Sequence, residues 1–106
     1  EYVTPTSTAD LARQIVRLRR CDAFGLYHAT AEGSCSWYGF ASEIFALCGL
    51  RPCLKAVSPS DFPSKVRRPG YSVLENAGLK SIEMNVFRPW QDGLKEYLAE
   101  PARQAA

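Results

Sequence analysis

The sequence predicts an α/β fold with three main helices and about three short, mostly parallel strands. Apolar residues recur at helical spacing in three segments, and short apolar runs bounded by turn residues alternate with those segments along the chain. Strands that alternate with helices indicate parallel pairing through crossover connections. Because three short strands make only a thin sheet, we interpret the chain as a small, partial domain.

The first helix is predicted to begin at Thr8, as its N-cap, and to end at about Arg20. Leu11, Ile15 and Leu18 recur at positions i, i+4 and i+7, which predicts that they form the buried face.

Three segments are predicted to be strands. Residues 24–29 (FGLYHA) form a short aromatic run typical of a buried strand, and residues 54–57 and 71–74 give weaker signals. His28 lies inside the first of these runs, so we interpret it as a structural residue. The proline-rich stretch 58–64 is predicted to be an irregular loop.

The second helix has the clearest local signals. Ser36 is a good N-cap and Gly49 supplies a left-handed stop after the helix. Between them lies a full helical stripe, predicted to be core, formed by Trp37, Phe40, Ala41, Ile44, Phe45 and Cys48. Trp37, at the start of the stripe, is the member expected to be partly exposed.

The C-terminal part is predicted to contain one helical turn at 76–80 and a last helix with Pro89 at its first position. The buried face of that helix is expected to comprise Trp90, Leu94, Tyr97 and Leu98. We expect one segment over residues 1–100, followed by a frayed tail at 101–106.

Composition excludes several classes of protein. The net charge of +2 is too balanced to predict a nucleic-acid partner. No apolar run approaches the ~20 residues that span a bilayer, and the first residues lack the pattern of a signal peptide, so we expect a cytoplasmic protein without a membrane partner. The four cysteines match no metal-binding or redox spacing and are expected to be free thiols, with Cys48 buried.

The chain lacks the motifs of a complete enzyme. None of its seven glycines form a G-x-G or G-x-x-G pair, so no turn for a dinucleotide is present, and no cofactor is expected on this chain. No second histidine or G-x-S-x-G motif supports a catalytic triad. The remaining candidate is the basic turn at 65–72 (KVRRPGYS), where Arg67 and Arg68 could bind phosphate. A solvated basic loop is the alternative for this turn.

Five segments in register resemble the C-terminal portion of dTDP-4-dehydrorhamnose reductases, members of the extended short-chain dehydrogenase/reductase family. They are TPTSTADLARQI (4–15), GLYHAT (25–30), GSCSWYGFASEIFALCGL (33–50), RRPGYSVLEN (67–76) and RPWQDGLKEYL (88–98). Together they cover nearly the whole chain.

The resemblance implies NADPH-dependent reduction of the 4-keto group of dTDP-4-dehydro-6-deoxy-mannose to dTDP-rhamnose, by an NAD(P)-binding Rossmann-type oxidoreductase. In that family a tyrosine with a lysine four residues later handles the proton, and no tyrosine of this chain is followed by that lysine. The resemblance thus implies the substrate-binding side of the enzyme, inactive alone, with a dTDP-sugar as its ligand. It also implies that Arg68, with Arg67 as neighbour, contacts the diphosphate, and that Trp37 and Tyr71 line the rim of the pocket.

Two positions depart from the family pattern. Gly39 replaces a glutamate, which removes the capping-box partner of the second helix. Tyr71 replaces an asparagine beside Arg68, which bears on specificity for the thymidine nucleotide.

The sequence leaves two other hypotheses open. The first is a stand-alone, non-catalytic binding or oligomerisation module derived from the same family, which would form a homo-oligomer through its incomplete sheet. The second, ranked last, is nucleic-acid binding through the clusters at 17–20 and 65–68.

Overall fold

The structure, a computed structural model, describes residues 1–56 and 66–100. Within these ranges two short strands and four helices follow one another along the chain. They are β1 (Tyr2–Val3), α1 (Thr8–Leu18), β2 (Cys35–Ser36), α2 (Trp37–Leu47), α3 (Ala77–Ser81) and α4 (Trp90–Leu98).

The sheet differs from the predicted one. Its two strands are antiparallel, with Tyr2 opposite Ser36 and Val3 opposite Cys35. Tyr71 forms only an isolated parallel bridge with Tyr2, so the predicted strand at 71–74 is reduced to one pair of residues. The prediction of three mostly parallel strands is wrong for the described residues, whereas the combination of helices with a small sheet is confirmed.

The segment 24–29 is not a strand, because nothing in the described chain pairs with it. Phe24 and Leu26 are 90% and 93% exposed, and His28 is exposed as well, so the buried strand and the structural role of His28 are wrong. Residues 54–56 form no strand either. Val57, the loop 58–64 and the tail 101–106 lie outside the described residues.

The first helix begins one residue earlier than expected and buries a different face. Ser7, not Thr8, is the N-cap, and its hydroxyl accepts a hydrogen bond from the Asp10 backbone N–H at 3.1 Å. Asp10 and Gln14 are buried, while Ile15 is 57% exposed. The buried face of α1 was mispredicted because residues 84–86, which lie against it, present backbone groups rather than apolar side chains.

Gln14 illustrates this replacement of apolar by polar contacts. Its side-chain amide donates to the Met84 carbonyl and accepts from the Val86 N–H, both at 2.8 Å. A buried amide that satisfies two backbone groups is favourable even without apolar contact, since those groups would otherwise be desolvated and unpaired.

The predicted bounds of the second and last helices are close to the structure. In α2 the Ser36 hydroxyl accepts from the Gly39 N–H at 3.0 Å, and Gly49 has a φ of 72° after the helix. The hydroxyl half of the cap is therefore kept although Gly39 removes its glutamate partner. In α4 Pro89 occupies the N-cap position, one residue before the predicted place.

The core is small and lies between α2 and α4. One buried cluster comprises Ala31, Cys35 and Trp90, with Phe40 and Leu94 against them, and Leu79 and Phe87 are buried outside this cluster. No residue of α2 is fully buried, Cys48 is exposed and Tyr97 is 46% exposed. The predicted apolar faces of α2 and α4 are thus buried only in part, because the described chain offers little surface to cover them.

Candidate functional site

The N-terminal strand connects the basic turn with the start of α2. The Tyr2 N–H donates to the Gly70 carbonyl at 2.8 Å, and the Ser72 N–H donates to the Tyr2 carbonyl at 3.0 Å. On its other edge β1 pairs with β2, which leads directly into Trp37. β1 therefore holds residues 36–37 on one side and residues 70–72 on the other, although these lie more than thirty positions apart in the sequence.

A half-open cavity of about 460 Å³ lies beside β1. It is lined by Glu1, Val3, Trp37, Arg68, Pro69 and Ser72. The lining combines an arginine, a carboxylate, a hydroxyl and an indole ring. This is the size and mixture of apolar and polar groups expected of a small-molecule site.

Trp37 is fixed within this cavity although about half of its surface is exposed. Its indole N–H donates to Oε2 of Glu1 at 3.1 Å. Its ring meets Phe40 edge-on with centroids 6.0 Å apart, and Phe40 in turn contacts the buried Trp90. The indole is thereby anchored to the core, which keeps its orientation defined.

The structure brings two of the four predicted site residues together. Arg68 and Trp37 line the same cavity, whereas Arg67 and Tyr71 are not part of its lining. Tyr71 instead stacks at a tilt on Tyr2, with ring centroids 6.4 Å apart. Neither arginine forms an ion pair within the described part of the chain, so both guanidinium groups are available to an anion.

The other lining residues were not predicted individually. Pro69 and Ser72 belong to the basic turn and could have been included from that segment alone. Glu1 and Val3 reach the cavity only through the pairing of β1 with β2 and with Tyr71. No local signal indicates such non-local contacts.

Charged groups elsewhere in the described chain serve the fold. Asp10, Arg13, Arg88 and Glu96 form a network of four ion pairs between α1 and α4. Hydrogen bonds from Arg13, and then from Arg88, lower the pKa of Glu96, and the hydrogen bond from Lys80 lowers the pKa of Glu75.

Burial raises the pKa of the Cys35 thiol, which disfavours the reactive thiolate.

Within residues 1–56 and 66–100, no group of three histidine, cysteine or acidic side chains is arranged to hold a metal ion. No helix in the same ranges is long and apolar enough to cross a membrane.

The fold is one that occurs in known reductases. Residues 1–103 match the family described as the RmlD substrate binding domain, and the chain belongs to this family. The resemblance to dTDP-4-dehydrorhamnose reductases that the sequence segments indicated is thereby confirmed.

Two solved structures share the fold. A dTDP-4-dehydrorhamnose reductase from Clostridium acetobutylicum is 41% identical with a TM-score of 0.88, and 92% of this chain matches 35% of that one. The enzyme of the same name from Bacillus anthracis, solved in complex with NADP, is 31% identical with a TM-score of 0.87 over the same shares.

Among relatives known from sequence, the spore coat polysaccharide biosynthesis protein SpsK of Bacillus subtilis is 38% identical over 99 residues, which cover 92% of this chain and 34% of that protein. The chain thus spans about a third of the length of the relatives it matches.

Proposed function

We propose that this chain is the substrate-binding part of an NADPH-dependent dTDP-4-dehydrorhamnose reductase, and that its cavity binds the dTDP-sugar. The observation that carries the proposal is the meeting of Arg68 and Trp37 in one cavity of suitable size. A guanidinium group pairs with phosphate oxygens through two parallel hydrogen bonds, and an exposed indole offers an apolar face to a sugar or base.

The proposed role is binding without turnover by this chain alone. The nicotinamide cofactor would supply hydride in the complete reaction. The residues of this chain do not fit that cofactor, since no glycine-rich turn is present, and the tyrosine and lysine pair is absent as well. We therefore assign cofactor binding and proton transfer to the part of the relatives' length that this chain does not match. A cytoplasmic location belongs to the same proposal, consistent with four free cysteines.

The test is a ligand-observed NMR titration of the chain with dTDP and with dTDP-rhamnose. Arg68→Ala is expected to weaken the binding of both at least about tenfold, because a charge-assisted hydrogen bond to phosphate is lost. Arg67→Ala should have a smaller effect, since Arg67 does not line the cavity. Arg19→Ala, which removes an exposed arginine after α1, is the matched control.

Two results would contradict the proposal. One is a folded protein that binds neither compound at millimolar concentration. The other is equal weakening by Arg68→Ala and Arg19→Ala, which would indicate attraction by net charge rather than a defined site.

A second candidate function is a non-catalytic binding or oligomerisation module. It is favoured by the exposure of Phe24 and Leu26, two large apolar side chains in an unpaired segment. Exposed apolar side chains of this kind favour contact with another chain.

A further inference from the structure

The cavity that contains Arg68 also contains a carboxylate with no assigned role. Glu1 is the acidic residue of the lining, and its Oε2 accepts the indole proton of Trp37 at 3.1 Å. Its other oxygen, Oε1, forms no hydrogen bond with any of the residues that the structure describes. One acceptor is thus held in place while the second remains free.

Glu1 does not neutralise the arginine across the cavity. No ion pair joins Glu1 to Arg68 within the described residues, although the two side chains line the same space. The hydrogen bond from Trp37 orients the carboxylate instead. A ligand therefore meets a positive group and a negative group separately in one cavity.

An ionised carboxylate can only accept hydrogen bonds, so it favours a ligand that brings donors. Phosphate oxygens bring none at neutral pH and are repelled by it, whereas sugar hydroxyls are donors. A ligand that satisfies both groups has an anionic diphosphate for Arg68 and hydroxyl groups for Glu1. A nucleoside diphosphate such as dTDP brings only the 3′-hydroxyl of its deoxyribose and the N–H of its base, and it lacks the hydroxyl donors of the sugar attached beyond the diphosphate.

We propose that Glu1 is a specificity residue whose Oε1 accepts hydrogen bonds from hydroxyl groups of the sugar, with Trp37 as the residue that positions it. This proposal rests on the proposed function, because it assumes that the diphosphate lies at Arg68. Glu1 thereby raises the affinity for the sugar nucleotide relative to that for the nucleotide alone.

The test compares the dissociation constants for dTDP and dTDP-rhamnose in the unaltered chain, in Glu1→Gln and in the control Glu43→Gln. Glutamine keeps an acceptor for the indole and removes the charge. Glu1→Gln should weaken dTDP-rhamnose binding about tenfold, since bonds to charged acceptors are roughly twice as strong as neutral ones. It should leave dTDP binding unchanged or tighter. A merely structural effect would weaken both ligands together.

The Trp37 indole resonance provides a second readout that needs no change at Glu1. Two tryptophans are present, so Trp37→Phe identifies the signal of Trp37. Addition of dTDP-rhamnose should shift this signal more than addition of dTDP, because only the sugar engages the carboxylate that accepts the indole proton.

The outcomes separate the two proposals. If dTDP and dTDP-rhamnose both bind and both depend on Arg68, while Glu1→Gln leaves their ratio unchanged and the indole responds equally to each, the role of Glu1 is wrong and the proposed function stands. If the unaltered chain binds neither, both proposals fall.

Discussion

Gly93 lies in the middle of α4, where the start of α1 leaves no room for a side chain. A Cβ atom at this position would lie 2.8 Å from Oδ2 of Asp10 and 3.3 Å from the Ser7 hydroxyl oxygen. Asp10 is only 4% exposed and is held by Arg13 and Arg88, so its carboxylate cannot simply swing away. The close approach of the two helices therefore requires glycine here.

Gly93→Ala is expected to lower the free energy of unfolding by about 1 to 3 kcal/mol, since overpacking outweighs the better helix propensity of alanine. Chemical denaturation followed by circular dichroism measures the change. Gly39→Ala is the matched control in α2, where the nearest atom to a new Cβ is 3.4 Å away and a gain of up to about 1 kcal/mol is expected. Stabilisation by both substitutions would contradict the proposed close approach.

At the scale of elements, a network of charged side chains rather than an apolar seam joins α1 to α4. Arg88 donates to Asp10 at 2.8 Å and to Glu96 at 2.6 Å, and Arg13 donates to the same two carboxylates at 2.6 and 2.7 Å. Asp10 is the buried centre of the network, with the partly exposed Glu96 at its rim. The network depends on both carboxylates being ionised.

The lowered pKa of Glu96 predicts a pH dependence of stability. Hydrogen bonds from Arg13 and Arg88 favour the ionised form in the folded state. A depressed folded pKa contributes stability that is present above the ordinary glutamate pKa, about 4.3, and is lost as the pH falls through the lower folded value. Urea denaturation between pH 7 and pH 3 should show this loss, with a smaller acid-dependent loss in Glu96→Gln. An unchanged acid profile in that variant, relative to Glu43→Gln, would contradict the prediction.

Helices were predictable from sequence where their signals are local. Ser36 and Gly49 bound α2, and an apolar stripe at helical spacing lies between them, so neighbouring residues alone determine the element. The buried face of α1 was not predictable, because Gln14 is buried by backbone groups of residues 84 and 86, seventy positions away. Strand formation also depends on non-local partners. Residues 24–29 have the composition of a strand but no such partner within the described chain.

The residues of the candidate site were likewise predictable only where their signals are local. Arg68 and Trp37 were predicted because each lies in a recognisable segment of the family. Glu1 could not be predicted, since its position depends on the pairing of β1 with two distant parts of the chain.

At the scale of the whole molecule, the described residues leave a large apolar surface uncovered. Phe24 and Leu26 lie on either side of a bend at Gly25, and both are almost fully exposed. Full burial of such a side chain is worth about 1.5 to 3 kcal/mol, so a partner that covers both gains considerable free energy. Under the proposed function, the part of the reductase that corresponds to the unmatched length of the relatives would cover these side chains. Under the second candidate function, another copy of this chain would cover them.

The second candidate function predicts that this chain self-associates at high concentration through the Phe24 and Leu26 segment. Replacing both residues with serine removes the apolar gain and should yield a monomer, as measured by sedimentation equilibrium over a concentration series. Leu50→Ser, which alters an exposed leucine after α2, is the control and should leave association unchanged. A chain that remains monomeric before any substitution would exclude self-association through this surface, and only the proposed function would then offer a cover for Phe24 and Leu26.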